Sequence, residues 1–445
     1  MESRVAVDLE RALVALDGGP HAHDGLFEMI GDAPVVLIGE ATHGTHEFYR
    51  MRAELTKRLI AEKSFDAVCI EGDWPDAYRV NRYVRGANDD AEGADALGGF
   101  RRFPTWMWRN ADVLDFVGWL REYNDFCQTS RRPKVGFYGL DLYSMYASID
   151  AVVEYLERID PPAAALARRR YECLEPYSDH PERYGIAAAR GLEPRCSGDV
   201  LAALLEIQRK ASRYARLDGR IAEDQYFYAE QNARVVANAE RYYRAMIDYT
   251  ASTWNLRDEH MADTLERLLA HLARHRGSAK AVVWAHNSHV GDAESTSMAL
   301  RGETNIGALT RRRYGDSCVS VGFTTYAGTV TAASDWHAPE ERKRVLPARE
   351  GSYEQLFHSL GAARFWVPLR RCRPKLDGLP GQARERAIGV IYRPDTELQS
   401  HYFHARLIHQ FDAVYHFDVT RAVQPLERSA LWREGEVPEA YPSGE

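Results

Sequence analysis

A chain of 445 residues, 45% apolar and 27% charged, can bury a large core and has the composition of a soluble globular protein. The net charge of -8 gives no reason to expect nucleic acid, and the N-terminal stretch has no apolar signal core. No stretch approaches the length of a membrane span. The six cysteines form no CxxC pair, which fits a reducing cytoplasm better than a disulfide scaffold.

In chain order, residues 5–30 predict a short amphipathic helix and a loop. The apolar run Val35–Ile38 reads as a buried strand ended by Gly39, with Glu40 and His43 in the turn. Thr45 can cap a helix carrying Phe48, Met51, Leu55 and Leu59 at helical spacing. Arg52 falls on that apolar stripe. Either its stem packs while its head reaches water, or it is aimed at a carboxylate or substrate oxyanion near the turn. A second strand, Ala67–Ile70, stops at Glu71, and residues 86–102 read as a mobile loop. The aromatic segment Phe103–Asn110 is core or the wall of an apolar pocket. A helix follows from about Ala111 to Cys127.

The third strand is Val135–Tyr138, followed by Gly139, Leu140 and Asp141. From Ser144 to about Arg276 there is no strand pattern but a helical block, broken near Asp218 and Gly219. Its aromatics Tyr226, Phe227, Tyr228, Tyr242, Tyr243 and Tyr249 are read chiefly as packing. Strand patterns resume with Ala281–Trp284, which leads into His286 and His289. They continue with Cys318–Phe323, Arg364–Val367, Ala387–Tyr392 and Phe411–Phe417. Residues Gly435 to Glu445 read as frayed. The expected fold is α/β: a mostly parallel central sheet flanked by helices, with a large helical insertion. The core spans about 30–143 and 277–425 and the insertion about 144–276.

In a mostly parallel sheet the strand ends share one edge, so Glu40 and His43, Glu71, Asp141, and His286 with His289 can converge on one cleft. G-x-S-x-G, Walker A, G-x-G-x-x-G after a strand and H-E-x-x-H are all absent. Histidines with carboxylates and an arginine, and no obvious nucleophile, suit general-base activation of water. A neighbouring carboxylate would orient the base, and a second histidine or an arginine would stabilise the oxyanion. The same two-histidine, two-carboxylate set could instead hold a divalent metal, which is the alternative reading. His46 and Glu47, in the first helical turn, are read as exposed or as salt-bridging.

Several segments together resemble the erythromycin esterase family. They are Gly39–Phe48 with Arg52, Glu71-Gly72, Tyr138–Ser144, Trp254–Ala262, Trp284–His289 and Phe411–Phe417. The resemblance implies a single domain of that type, whose members open macrolide lactones by hydrolysis with a histidine as general base. Carried over by motif, His43 is the base and Glu40 its neighbouring acid, and Arg52, Glu71, His286 and His289 line the site. Arg257, Asp141, Trp106 and Tyr138 are the candidates for substrate contact. The implied activity is carboxylic ester hydrolysis on a small-molecule ester or lactone. The resemblance leaves metal dependence open; the expectation is no cofactor, with a divalent metal as the alternative, a cytoplasmic location from the cysteines, and either an antibiotic-resistance role or a housekeeping or biosynthetic one. The alternatives are a metal-dependent ester or amide hydrolase and a non-catalytic binder of haem or an aromatic ligand.

Overall fold

The computed structural model describes residues 2–16, 19, 21–130, 132–191, 196–215, 219–248, 252–376 and 382–434. Its strands in chain order are β1 (Val14–Ala15), β2 (Val35–Ile38), β3 (Ala67–Asp73), β4 (Gly136–Asp141), β5 (Ala281–Trp284), β6 (Cys318–Ala333), β7 (Glu340–Val345), β8 (Arg364–Val367), β9 (Ala383–Arg386), β10 (Tyr402–Ala405) and β11 (Ala413–Thr420). Nine of them form one sheet in the order β1-β8-β11-β6-β2-β5-β3-β4, with β7 also pairing with β6. The run from β11 to β4 is parallel throughout. Only the outer pairs β1–β8, β8–β11 and β6–β7 are antiparallel. β9 and β10 form a separate two-stranded sheet.

The central strands are continuous apolar runs because both faces are covered. Along β2, Val36 and Ile38 join one core with Val68, Ile70, Val282, Phe48 and Leu55. Val35 and Leu37 join the opposite core with Ala67, Cys69, Val283, Leu265 and Leu268. The period-2 alternation of a strand makes both layers from one segment. Between Asp141 and Ala281 the described residues form helices and connections and no strand. These helices pack on their own core, which includes Met145, Leu156, Tyr171, Tyr184, Val200 and Val236.

Several elements differ from the expectation. β3 and β6 extend beyond their apolar runs, β3 through Glu71 to Asp73. Ala387–Tyr392 is not a strand. It makes only single bridges, Ile388 to Thr42 and Ile391 to Ala333, because it crosses the turn after β2 and the end of β6 rather than running beside a strand. The first thirty residues hold the helices Glu2–Ala12 and Asp24–Ile30 with β1 between them. The segment 86–102 contains the short helix Gly93–Leu97, closed by a capping box of Glu92 and Asp95. Cys173 and Cys196 are paired as a disulfide, which cysteine spacing did not suggest; chain folding inside the insertion brings their Cα atoms to 6.1 Å. Cys69, Cys127 and Cys318 are free and buried. Asp218, Tyr249 and Gly435–Glu445 lie outside the described residues. No helix among the described residues is long and apolar enough to cross a membrane.

Candidate active site

The turn after β2 is built by close approach. A Cβ on Gly39 would fall 2.2 Å from the Asn287 side-chain oxygen, and one on Gly44 would fall 1.9 Å from the Thr331 carbonyl. Glycine is required where the backbone comes this near a neighbour. The Tyr49 hydroxyl donates to the His43 carbonyl at 2.8 Å and fixes the turn from the following helix, His46–Lys63. Thr45 is the N-cap residue of that helix, but its hydroxyl meets that of Thr42 instead of a helical N–H.

His43 and Glu40 form a buried pair with Nδ1 2.9 Å from Oε1. A carboxylate only accepts, so in the neutral ring the proton sits on Nδ1 and Nε2 carries the lone pair. The other Glu40 oxygen lies 2.9 Å from Arg52 Nη2, and both side chains are fully buried. The Arg52 guanidinium lies 4.2 Å from the Tyr49 ring centroid and 5.2 Å from that of Trp284. Two aromatic faces thus replace water around a cation that faces one carboxylate.

Glu71 comes from the end of β3. Its Oε1 is 4.0 Å from His43 Nε2 and accepts from Arg257 Nη2 at 2.7 Å. Its Oε2 accepts from the His286 backbone N–H at 2.8 Å. Burial alone would raise the Glu71 carboxyl, but the charges of His289, Arg257 and His43, with the His286 N–H, outweigh it and hold it far below the usual carboxylate range. Glu71 therefore stays ionised. Arg257, on the helix Thr253–Arg276, also grips Asp141 at the end of β4 with two donors, at 3.0 and 2.6 Å. Burial would raise Asp141 too, and Arg257 more than cancels it.

The two histidines after β5 sit differently. His286 Nδ1 accepts from the Ser288 backbone N–H at 3.2 Å, and Nε2 donates to the Ala41 carbonyl at 3.2 Å. Burial and the neighbouring His43, whose ring centroid is 4.9 Å away, push His286 down to about 3, so it is neutral. His289 Nδ1 donates to both oxygens of Asp258 at 2.9 Å, and Trp254 stacks on its ring at 4.4 Å. Burial would lower His289, but Asp258 and Glu71 draw it above its ordinary value. Its Nε2 has Arg257 Nη1 at 3.0 Å and Glu71 Oε1 at 3.4 Å. The neutral ring accepts from Arg257; the protonated ring faces Glu71.

The structure thus brings together Glu40, His43, Arg52, Glu71, Asp141, Arg257, His286 and His289. It places Trp106 and Tyr138 elsewhere. Trp106 lies in the core with Met107 and Trp108, and Tyr138 stacks on Trp74 at 5.9 Å, against the insertion. His46 pairs with Asp112 and Glu47 with Arg421, outside the constellation. Sequence reading passed over Asp258, Trp254 and Tyr143. Asp258 and Trp254 flank Arg257 in the segment Trp254–Ala262, and the Tyr143 ring lies between the guanidinium groups of Arg102 and Arg257, at 4.7 and 5.0 Å. Among the described residues no group of three or more His, Cys, Asp or Glu is placed to hold a metal ion. Arg257 and the His286 N–H occupy the Glu71 oxygens, and His289 faces both oxygens of Asp258.

A parallel α/β sheet whose strand ends gather three histidines, four carboxylates and two arginines is the frame of an enzyme site. The family model described as erythromycin esterase matches residues 60–420, and the chain belongs to this family. Membership supports a hydrolase function. A relative from Escherichia coli, erythromycin esterase type II, is 21% identical over 413 residues, covering 88% of this chain and 91% of its own length. A solved Bacillus cereus protein superposes with a TM-score of 0.78 at 20% identity, covering 96% of this chain and 100% of its own. A succinoglycan biosynthesis protein gives a TM-score of 0.74 at 20% identity, with 95% and 98% coverage. An erythromycin esterase mutant in its open conformation gives 0.61 at 19% identity, with 92% and 95% coverage. At these identities the structural likenesses show the fold.

Proposed function

We propose that the chain hydrolyses a carboxylic ester or macrolide lactone with a water molecule activated by His43. The observation that carries this reading is the buried Glu40–His43 pair at 2.9 Å, which leaves Nε2 as a lone-pair nitrogen facing Glu71. In the reading, Nε2 takes a proton from water as the oxygen attacks the ester carbonyl carbon. Glu40 and the ionised Glu71 stabilise the imidazolium that forms, and Arg52 balances the Glu40 charge. Arg257 Nη1 and, in the protonated ring, the His289 Nε2–H supply donors for the tetrahedral oxyanion. Collapse expels the alkoxide, which takes the proton back from His43. The products are an acid and an alcohol, or one opened hydroxy acid from a lactone. His286, held neutral between Ser288 and Ala41, walls the site without exchanging protons.

The test is mass spectrometry of products from wild-type and His43→Ala protein on a panel of macrolides and aryl esters, with and without chelator. Gain of one water by the substrate, indifferent to chelator and reduced about 10²–10⁴-fold in the variant, is expected for a general base. Unchanged turnover by His43→Ala overturns the mechanism. Loss of turnover on chelation moves the reading to a metal-dependent hydrolase.

A further inference from the structure

The first turns of the helix Thr253–Arg276 clamp a histidine that belongs to the other part of the chain. Trp254, Arg257 and Asp258 stand at positions i, i+3 and i+4, so they share one face of the helix. All three meet His289. Asp258 takes the Nδ1 proton with both oxygens at 2.9 Å, and Arg257 Nη1 lies 3.0 Å from Nε2. Trp254 covers the ring itself, with the indole and imidazole planes 5° from parallel and their centroids 4.4 Å apart. Asp258 is fixed in turn by the Ile306 N–H, which donates to it at 2.8 Å.

The two polar contacts locate the ring nitrogens but define the tilt of the plane about the line between them only weakly. A parallel face removes that freedom. It also acts on charge, because an indole face is the strongest aromatic partner for a cation and so favours imidazolium over the neutral ring. The indole N–H, by contrast, is buried with no acceptor, which is unfavourable for a donor taken out of water. What this position gains from an indole therefore lies in its face. The side chain also packs beside Ala293, Met298 and Ala308.

The charged and titratable groups facing His289 are Asp258 and Arg257 from the helix, Glu71 from the end of β3 and, from its own connection, His286. Burial is the largest influence on His289 and lowers it. Asp258 and Glu71 raise it, Arg257 opposes them, and the balance lies above the ordinary histidine value. The Trp254 face works in the same sense as the two carboxylates.

We propose that Trp254 is a positioning residue for His289: its face fixes the imidazole plane, so that Nε2 points to the corner between Arg257 and Glu71, and it favours the protonated ring that donates from Nε2. This rests on the reading of His289 as a donor to the oxyanion. In that reading the donor is charged while His43 is neutral. Trp254 lies against His289, whereas His43 has the neutral His286 as its ring neighbour. The indole face therefore lifts the donor and not the base, and widens the pH interval in which both conditions hold.

The experiment follows the His289 ring by NMR of histidine-labelled protein from pH 5 to 9, with its resonance assigned by comparison with His289→Gln. It also measures kcat and KM on a cleaved aryl ester over the same range. Wild type is compared with Trp254→Phe and Trp254→Leu. Trp254→Leu fills space without an aromatic face, so its His289 is expected to titrate about 0.5–1.5 pH units lower. The alkaline limb of its kcat profile moves to lower pH by the same amount, with KM little changed. Its deficit in kcat is then small at pH 5 and grows to about 3–30-fold at pH 9. Trp254→Phe restores a face and is expected to recover most of both. An unchanged His289 titration or a pH-independent deficit in Trp254→Leu overturns the proposal, and so does a Trp254→Phe that behaves as Trp254→Leu. If Trp254→Leu does not fold, Trp254→Met takes its place with the same expectations, and a wild-type His289 that titrates below 6.5 overturns the proposal outright. Failure of the hydrolase reading shows separately, as no turnover by wild type, and the NMR arm then decides the Trp254–His289 contact by itself.

Discussion

Replacing Arg257 by methionine removes a cation from among Glu71, Asp141 and His289 while keeping most of its volume. The wild-type side chain makes contacts of 2.6–3.0 Å to all three, and Glu71 and Asp141 are 5% and 2% exposed. Breaking a buried ion pair by removing one partner costs about 3–5 kcal/mol. An unfolding entropy of about 2.1 cal/mol/K per residue over 445 residues gives ~0.9 kcal/mol/K, so that loss lowers Tm by ~3–5 °C. The pH dependence carries the argument. In wild type both carboxyls are held below their ordinary values, so their contribution is complete above about pH 4.5 and is lost as pH falls further. In the variant, burial without Arg257 raises Asp141, so stability falls as pH climbs past its ordinary value, while Glu71 keeps His289, His43 and the His286 N–H but loses part of what holds it down. The gap in Tm between the two proteins, followed by calorimetry, is expected to be smallest near pH 4.5–5 and largest near pH 7–8. A constant gap across that range would mean that packing rather than charge is what Arg257 supplies.

Glu40→Gln leaves an acceptor for His43 Nδ1 but removes the charge that balances the imidazolium and Arg52, so kcat on a cleaved ester is expected to fall at least ~10-fold, with KM little changed; a normal kcat would remove Glu40 from the mechanism. Asp258→Asn takes away the carboxylate that raises His289. The stability tied to that raised histidine is present below pH 6.5 and lost as pH rises through its folded pKa, so the variant's deficit in Tm should be larger at pH 6 than at pH 9. Gly39→Ala drives a methyl group to 2.2 Å from the Asn287 oxygen and is expected to cost about 1–3 kcal/mol, measured by denaturant unfolding, and to lower turnover in parallel.

What could be read from the chain follows from how each part is buried. β2, β5 and the first four residues of β3 are covered on both faces, so they read as unbroken apolar runs whose ends mark the catalytic edge. β7 reads Glu340-Glu-Arg-Lys-Arg-Val345 and pairs on one side only, so charge hides it. β1 has two residues and leaves no periodicity to detect. The Glu40–His43 contact spans three residues and is implicit in the turn, whereas Arg257 lies 116 and 186 residues from Asp141 and Glu71, a meeting that spacing cannot encode. Trp106 shows the opposite problem: aromatic density looks the same whether it lines a cavity or fills a core, and here it fills a core.

The strand ends hold the four carboxyl-bearing and histidine segments, but the guanidinium that neutralises Glu71 and Asp141 is delivered by the last helix of the insertion. The two parts of the chain are therefore complementary in the way of a plug and a socket. Removing that helix would withdraw a shared counter-ion from both acids at once, so the seating of the insertion and the charge balance of the strand-end acids are tied together. One side chain, carried by a part of the chain more than a hundred residues away, sets the electrostatic state of two strand ends.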